Sequence, residues 1–495
     1  MNSIMTQKTK IIGIIYLLFL TIILNAQTQK GQTIYGKARL DNFGFKVSMP
    51  DENTLGVSAP YNNSNGTDAG QVTIYSWNGG TWVQKGADIN GEATNDYSGF
   101  DISLPDANTV AIGAPYNDNP NGKDAGHARV FQWNGANWVQ KGGDIDGEAA
   151  NDYAGRAVSM PDANTVAVGA YNNSGNGNQS GHVRIFTWNG SSWIQKGADI
   201  NGETSKDQSG KSVSMPDVNT VAIGAPSNDG NGSLSGHVRV YNWNGTAWVQ
   251  KGADIDGEAA GDQSGTAISM PDPNTIAIGA VNNDGNGTHS GQVRIFTWNG
   301  SNWIQKGTDL DGQAADDESG STVSMSNANT VAIGAVYNSN GGPEAGHARV
   351  FGWDGSKWKN MDYSINGLSS RDFSGTSVSL TDNNTLAIGA VNDNGNNTGY
   401  VRVFKLSGQL KTANPIHPQG IIYPNPTDGT FYLSLEQTYE NIALSITDVT
   451  GREIATYHFE NQNKLSLSPD LLPGIYFIRV NMDKGNSFIQ KIVVY

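Results

Sequence analysis

The sequence predicts an all-β protein, a seven-bladed β-propeller of four-stranded blades followed by a small immunoglobulin-like β-sandwich. Three observations carry this reading. A unit of 55 residues, with a single spacing of 56, is written seven times, its opening glycine falling at Gly44, Gly99, Gly155, Gly210, Gly265, Gly320 and Gly375. Self-similarity at such a period marks units that bury their faces against their neighbours. Each unit holds four short strand-like runs and no 3.6-residue periodicity. The seventh unit lacks its fourth run, which stands at the other end of the chain.

The third unit shows the pattern. Its first run is residues 157–160, and the turn formers Pro161, Asp162, Ala163 and Asn164 separate it from a second run, residues 165–169. The third, residues 182–188, is rich in β-branched and aromatic side chains. The fourth, residues 193–200, follows Asn189 and Gly190, a pair that tolerates the positive φ of a hairpin turn. In the seventh unit residues 400–404 give way to a proline-bearing segment, but residues 29–36 align without a gap on residues 84–91, with Gly36 eight residues before Gly44 as Gly91 is before Gly99. An N-terminal strand that completes the last blade leaves no open sheet edge.

Taken in chain order, residues 1–26 read as a secretory signal: Lys8 and Lys10 precede an apolar run over residues 11–24, too short to span a bilayer, and Ala26 offers a small residue for cleavage. No transmembrane helix is expected in the mature form. Removing those two lysines takes the formal charge from −15 to −17, which disfavours nucleic acid and anionic membrane as partners. There is no cysteine, so disulfides, thiolate metal sites and thiol catalysis are excluded and packing alone must hold the ring. Residues 27–406 form the propeller. The 62 glycines of the whole chain fit a fold with a turn every few residues, and all twelve tryptophans fall at two repeat positions, flanking the third-to-fourth-strand turn. They are expected to brace that hairpin and pack between blades rather than serve as sugar platforms.

Residues 407–419 carry two prolines, break the period and read as a linker. Residues 420–495 are a separate unit of short alternating strands, expected at 430–435, 442–446, 474–480 and 488–494, with turns at Asp428-Gly429, Thr450-Gly451 and Lys484-Gly485.

The repeat resembles the FG-GAP repeat of integrin α-chain rings and bacterial surface proteins. The likeness rests on Asp96-x-x-Gly99, the Gly113-Ala114-Pro115 and Gly224-Ala225-Pro226 steps, and Gly126-His127-Ala128-Arg129-Val130-Phe131. Only Phe43 supplies the phenylalanine before the anchor glycine, and the Pro-Asp-x-Asn-Thr hairpin holds one carboxylate, so the integrin-type calcium sites do not carry over. The last unit is similar to the type A sorting domain of the type IX secretion system, through Tyr423-Pro424-Asn425-Pro426-x-x-Gly429, Asp448-x-x-Gly451, Leu472-Pro473-Gly474-Ile475-Tyr476 and Lys491-Ile492-Val493-Val494. That resemblance implies handling by the type IX machinery, a secreted or outer-membrane surface location in a Gram-negative bacterium, and removal of the domain on release or anchoring.

An active site is normally asymmetric. Yet His127, His182, His237 and His347 share one repeat position, and the loops between second and third strands span only 9 to 12 residues, leaving no room for a catalytic insertion. The acidic connections between blades are the better candidates: Asp88, Asn90 and Asp96; Asp144, Asp146 and Asp152; Asp199, Asn201 and Asp207; Asp254, Asp256 and Asp262; Asp309, Asp311 and Asp317. Strand order puts these on the face that carries the second-to-third loops. Closely spaced oxygens on a glycine turn could hold calcium, whereas the competing reading makes the first pair a tight turn and the later Asp a brace for the returning backbone. No motif demands another cofactor. The expected function is non-enzymatic binding or adhesion by a monomer, toward an extracellular glycan or protein. A polysaccharide-active enzyme with an acid/base pair in the central channel, or a structural surface-layer component, is the alternative.

Overall fold

The computed structural model describes residues 27–381, 384–393, 395–406, 420–448, 452–482 and 487–495. The expected signal segment, the linker, Gly451 and the Lys484-Gly485 turn lie outside them. The chain divides into two compact units, residues 1–410 and 411–495.

The first unit is a ring of seven antiparallel sheets. In blade 3 the strands are Ala154–Asp162, Thr165–Ala170, His182–Trp188 and, split in two, Trp193–Gln195 and Ile200–Asn201. The second strand is buried at all six positions, because sheets cover it on both sides and on both faces. Its glycine is needed there: a Cβ on Gly169 would stand 2.1 Å from the carbonyl oxygen of Gly210, the anchor of the next blade. First strands face the channel, and each is tied to the next by a serine. Ser48 accepts from the Leu104 amide, Ser159 from Met215, Ser214 from Met270, and Ser379 of blade 7 from Met49 of blade 1 at 2.9 Å, which carries the pattern round the closure.

Closure is made as the alignment requires. Thr28 and Gln29 pair with Lys405 and Phe404, and Ile34 and Tyr35 with Val401 and Tyr400.

The fourth strand departs from expectation. A single run over residues 193–200 was anticipated, but both pieces pair with the third strand around a break at Gly197. The next blade causes the break. Gly142, Gly197 and Gly252 have φ near +80°, and a Cβ on Gly197 would stand 2.7 Å from Cζ3 of Trp243 in blade 4. Blade 6 faces blade 7, which has no tryptophan pair; there the glycine is missing and the strand Trp358–Asn366 runs unbroken. The tryptophans thus work between blades. The Trp138 indole N–H donates to the Lys85 carbonyl of the preceding blade at 2.8 Å, and the Lys85 ammonium lies 5.3 Å and 5.4 Å from the Trp133 and Trp138 rings.

The second unit is one five-stranded sheet around a single core that includes Phe431, Leu444, Ile478 and Ile492. Residues 430–435 and 442–446, expected as two strands, belong to one 18-residue strand, Phe431–Asp448. Gly420–Tyr423 and Glu453–Leu467, not foreseen, pair with it. Both halves of the long strand pair with Glu453–Leu467, with a register shift between Ser434 and Tyr439, while on its other edge the first half pairs with Gly420–Tyr423 and the second with Gly474–Met482, and the two halves share one core. Among the described residues no helix is long and apolar enough to cross a membrane.

Candidate functional site

Parallel bridges such as Gly181 to Ser209 and Gly236 to Ser264 set each second-to-third loop against the connection to the next blade, on one face of the ring. Around its outer part lie the acidic residues, and the structure divides them into three kinds. The later aspartates are buried braces. Asp152 accepts from the Glu148 and Ala149 amides at 3.2 and 2.9 Å and from Asn173 Nδ2 at 2.9 Å. Asp96, Asp207, Asp262 and Asp317 do the same for their own turns, as do Asp41 and Asp372. Burial pushes the Asp96 carboxyl above its ordinary value, while its hydrogen bonds pull the other way.

Asp88, Asp144, Asp199, Asp254 and Asp309 are partly exposed, and each accepts from the glutamine four residues earlier, at 2.6 to 2.9 Å. Asn90, Asp146, Asn201, Asp256 and Asp311 pair opposite the first residue of the third strand. Their carbonyls accept from an arginine of the next blade, as Asn90 does from Arg129 at 2.9 Å. The three aspartate positions of one connection therefore do not converge as an oxygen cage.

The inner part of the face surrounds the channel mouth, and here the seven-fold pattern is broken. Phe45, Tyr61, Tyr97, Phe100, Tyr116, Tyr153 and Tyr171, all half-buried, form a continuous arc over blades 1 to 3. Neighbouring ring centroids are 5.0 Å apart for Phe45 and Phe100, 5.2 Å for Tyr61 and Tyr97, 5.1 Å for Tyr97 and Tyr116, and 5.0 Å for Tyr116 and Tyr153; Tyr153 and Tyr171 stack at 5.6 Å. Arg156 lies 4.7 Å from the Phe100 ring and Lys211 6.0 Å from Tyr171. Burial, reinforced by Arg156, lowers the Lys211 pKa. Both cations line the channel cavity of about 250 Å³, with Lys46 and Asp101, which pair at 3.5 Å. In blades 4 and 5 the corresponding loops present Gln208, Ser227, Gln263 and Asn282. The repeat alignment hides this arc, although tyrosine two residues before the anchor glycine, at Tyr97 and Tyr153 only, was a signal available in the sequence.

In the second unit, Asp448 accepts from the Arg452 backbone and side chain at 3.1 Å each. The Tyr476 hydroxyl donates to the Leu472 carbonyl, and Asn425 bridges the Lys491 carbonyl and the Val493 amide. Asn425 thus joins the first turn of the unit to its last strand, while the Asp448 and Tyr476 contacts are local.

Residues 421–495 match the family described as the secretion system C-terminal sorting domain. A tail of this type implies that the protein is secreted or attached at the cell surface. Comparison with curated proteins finds no match. Among solved structures the chain is similar to the β-propeller domain of the Trilobed protease from Pyrococcus furiosus, with 11% identity, TM-score 0.44, and coverage of 78% of this chain and 98% of that one. It is also similar to the periplasmic gluconolactonase of Pseudomonas aeruginosa (12%, TM-score 0.42, 90% and 99%) and to a xyloglucanase from Xanthomonas campestris (11%, TM-score 0.43, 95% and 74%).

Proposed function

We propose that this is an exported, non-enzymatic binding ring that takes an extracellular glycan at the channel mouth, delivered by the type IX secretion machinery and then released or held at the cell surface. The aromatic arc carries this reading. Seven half-exposed rings in one run, confined to three blades, present flat apolar faces of the kind that stack on pyranose rings, and Arg156 and Lys211 beside them offer donors to hydroxyl or carboxylate oxygens. The FG-GAP-like repeat supports the same role in adhesion. Against the enzyme alternative stands the channel lining, where Asp101 is the acidic residue and is engaged by Lys46 and by the Val158 amide. Glycoside hydrolysis generally uses two carboxylates flanking the bond.

A glycan array probed with the secreted protein tests the proposal. Binding should appear and should fall about tenfold in Tyr116→Ala and Tyr153→Ala, which corresponds to about 1.4 kcal/mol for one lost stacking platform. Wild-type binding in both variants would remove the arc as the site, and release of reducing ends from a bound glycan would favour the hydrolase.

A further inference from the structure

At three neighbouring blade junctions the outer rim brings together a glutamate from the connection, a histidine from the start of the next third strand and an aspartate from the next fourth strand. These are Glu92, His127 and Asp144; Glu148, His182 and Asp199; and Glu203, His237 and Asp254. Within each group one donor atom per residue lies within 4.8 Å of the other two. His127 Nδ1 is 3.9 Å from Glu92 Oε2 and 3.9 Å from Asp144 Oδ2; His182 repeats both distances, and His237 stands at 3.9 and 3.6 Å. Those gaps are too long for hydrogen bonds. They are close to the separation of about 3.4 Å between donors around a tetrahedral ion with bonds of ~2.1 Å. Each histidine side chain is 1% exposed, and neither ring nitrogen of His127 or His182 has a hydrogen-bond partner. A buried imidazole left unpaired between two carboxylates is an unmet demand.

We propose that these three corners are binding sites for a divalent transition-metal cation such as zinc, each held by one imidazole nitrogen and two carboxylate oxygens, with the open side facing solvent.

The other junctions show the alternatives. Between blades 7 and 1, Lys37 replaces the glutamate and Gln71 the histidine, and the Lys37 ammonium sits 2.5 Å from Asp88 Oδ2, so a tethered cation fills the corner. Between blades 4 and 5, Gln292 replaces the histidine and donates to Glu258 Oε2 at 3.1 Å. Between blades 5 and 6, Gln313 and Ser364 stand at the two carboxylate positions, and Ser364 Oγ lies 3.5 Å from His347 Nδ1. Among the described residues, only the three histidine corners keep two converging carboxylates without a cation or a donor between them. The arginine at each corner does not fill that role: Arg129 Nη1 lies 3.2 Å from Glu92 Oε1, the oxygen turned away from the histidine, and Arg184 and Arg239 contact Glu148 and Glu203 in the same manner at 3.5 Å. Each thereby orients its glutamate toward the corner. Imidazole with carboxylates suits zinc and its neighbours, whereas calcium takes six to eight oxygens.

The test is titration of the chelator-treated full chain with zinc chloride by calorimetry, and with cobalt chloride by visible absorption. Three equivalents should bind, and His127→Gln, His182→Gln and His237→Gln should each remove one, with the triple variant losing all three and the cobalt band. Glutamine is chosen because Gln292 already occupies this position in a folded blade, and unchanged melting in chelator would show that the variants are intact. Less than one equivalent in the wild type, full binding in the triple variant, or calcium competing equally with zinc would overturn the assignment. If a variant fails to fold, the surface substitutions Glu92→Gln, Glu148→Gln and Glu203→Gln put the same question, and retention of three equivalents by that set would equally overturn it.

Discussion

Replacing Asp152 by alanine should distinguish a brace from a surface ligand. The side chain is 3% exposed and accepts three hydrogen bonds, two from backbone amides and one from Asn173. Removing it takes the acceptor from three donors, the buried Asn173 amide and the part-buried Glu148 and Ala149 amides, each bond worth about 1–1.5 kcal/mol, so a loss of about 3–4 kcal/mol is expected. A ring of about 380 residues that melts cooperatively has an unfolding entropy of roughly 0.8 kcal/mol/K, and the melting temperature should fall by about 4–5 °C. Asp144→Ala removes a carboxylate that is about one-third exposed and accepts one hydrogen bond, from Gln140, and should cost less than about 1 kcal/mol. Calorimetric melting of both variants in the presence of chelator is the assay. An Asp152→Ala protein melting within a degree of wild type, or an Asp144→Ala protein melting lower than the Asp152→Ala protein, would refute the division of the acidic rim into buried braces and partly exposed carboxylates.

Deleting residues 27–35 should open blade 7 by removing the pairs to Lys405, Phe404, Val401 and Tyr400 and the buried Ile34; aggregation or a large drop in melting temperature is expected, and an unchanged melt would contradict closure. The pH dependence should carry a histidine contribution. Burial holds His347 down to about 3, so the stability due to its neutral ring is fully present above about 6.5 and is lost as pH falls toward 3, because the unfolded chain takes up a proton that the native ring does not. Urea unfolding between pH 6 and 4 should show a slope about 1.4 kcal/mol per pH unit shallower in His347→Gln than in wild type, whereas equal slopes would mean that His347 protonates in the fold. Intact-mass measurement of the extracellular protein should find the chain cut between about Ser407 and Gly420, and a surface form that ends at Tyr495 would count against processing of the sorting domain.

The amino-acid sequence by itself determined the seven units, the four runs in each, the strand borrowed from the N-terminus and the distinct C-terminal unit. These are periodic or local properties: alternation along a strand, turn formers at fixed offsets and a missing run with an exact counterpart elsewhere. Tertiary structure decided what lies between units. Gly197 looks like any turn glycine until Trp243 of the next blade is seen to require it. The Thr430 and Ile442 runs became one strand because a single core accepts both halves. In the connection that holds Asp144, Asp146 and Asp152 the three aspartates share a charge but not a role. Asp152 is drawn inward by Asn173 and two amides, while Asp144 turns outward toward His127 and Glu92. The aromatic arc and the three histidine corners were likewise hidden. A repeat shows that positions recur, but which side chain of one unit meets which of the next depends on the packing of blades, and residues such as Glu92, His127 and Asp144 become neighbours only when two adjacent sheets are set side by side.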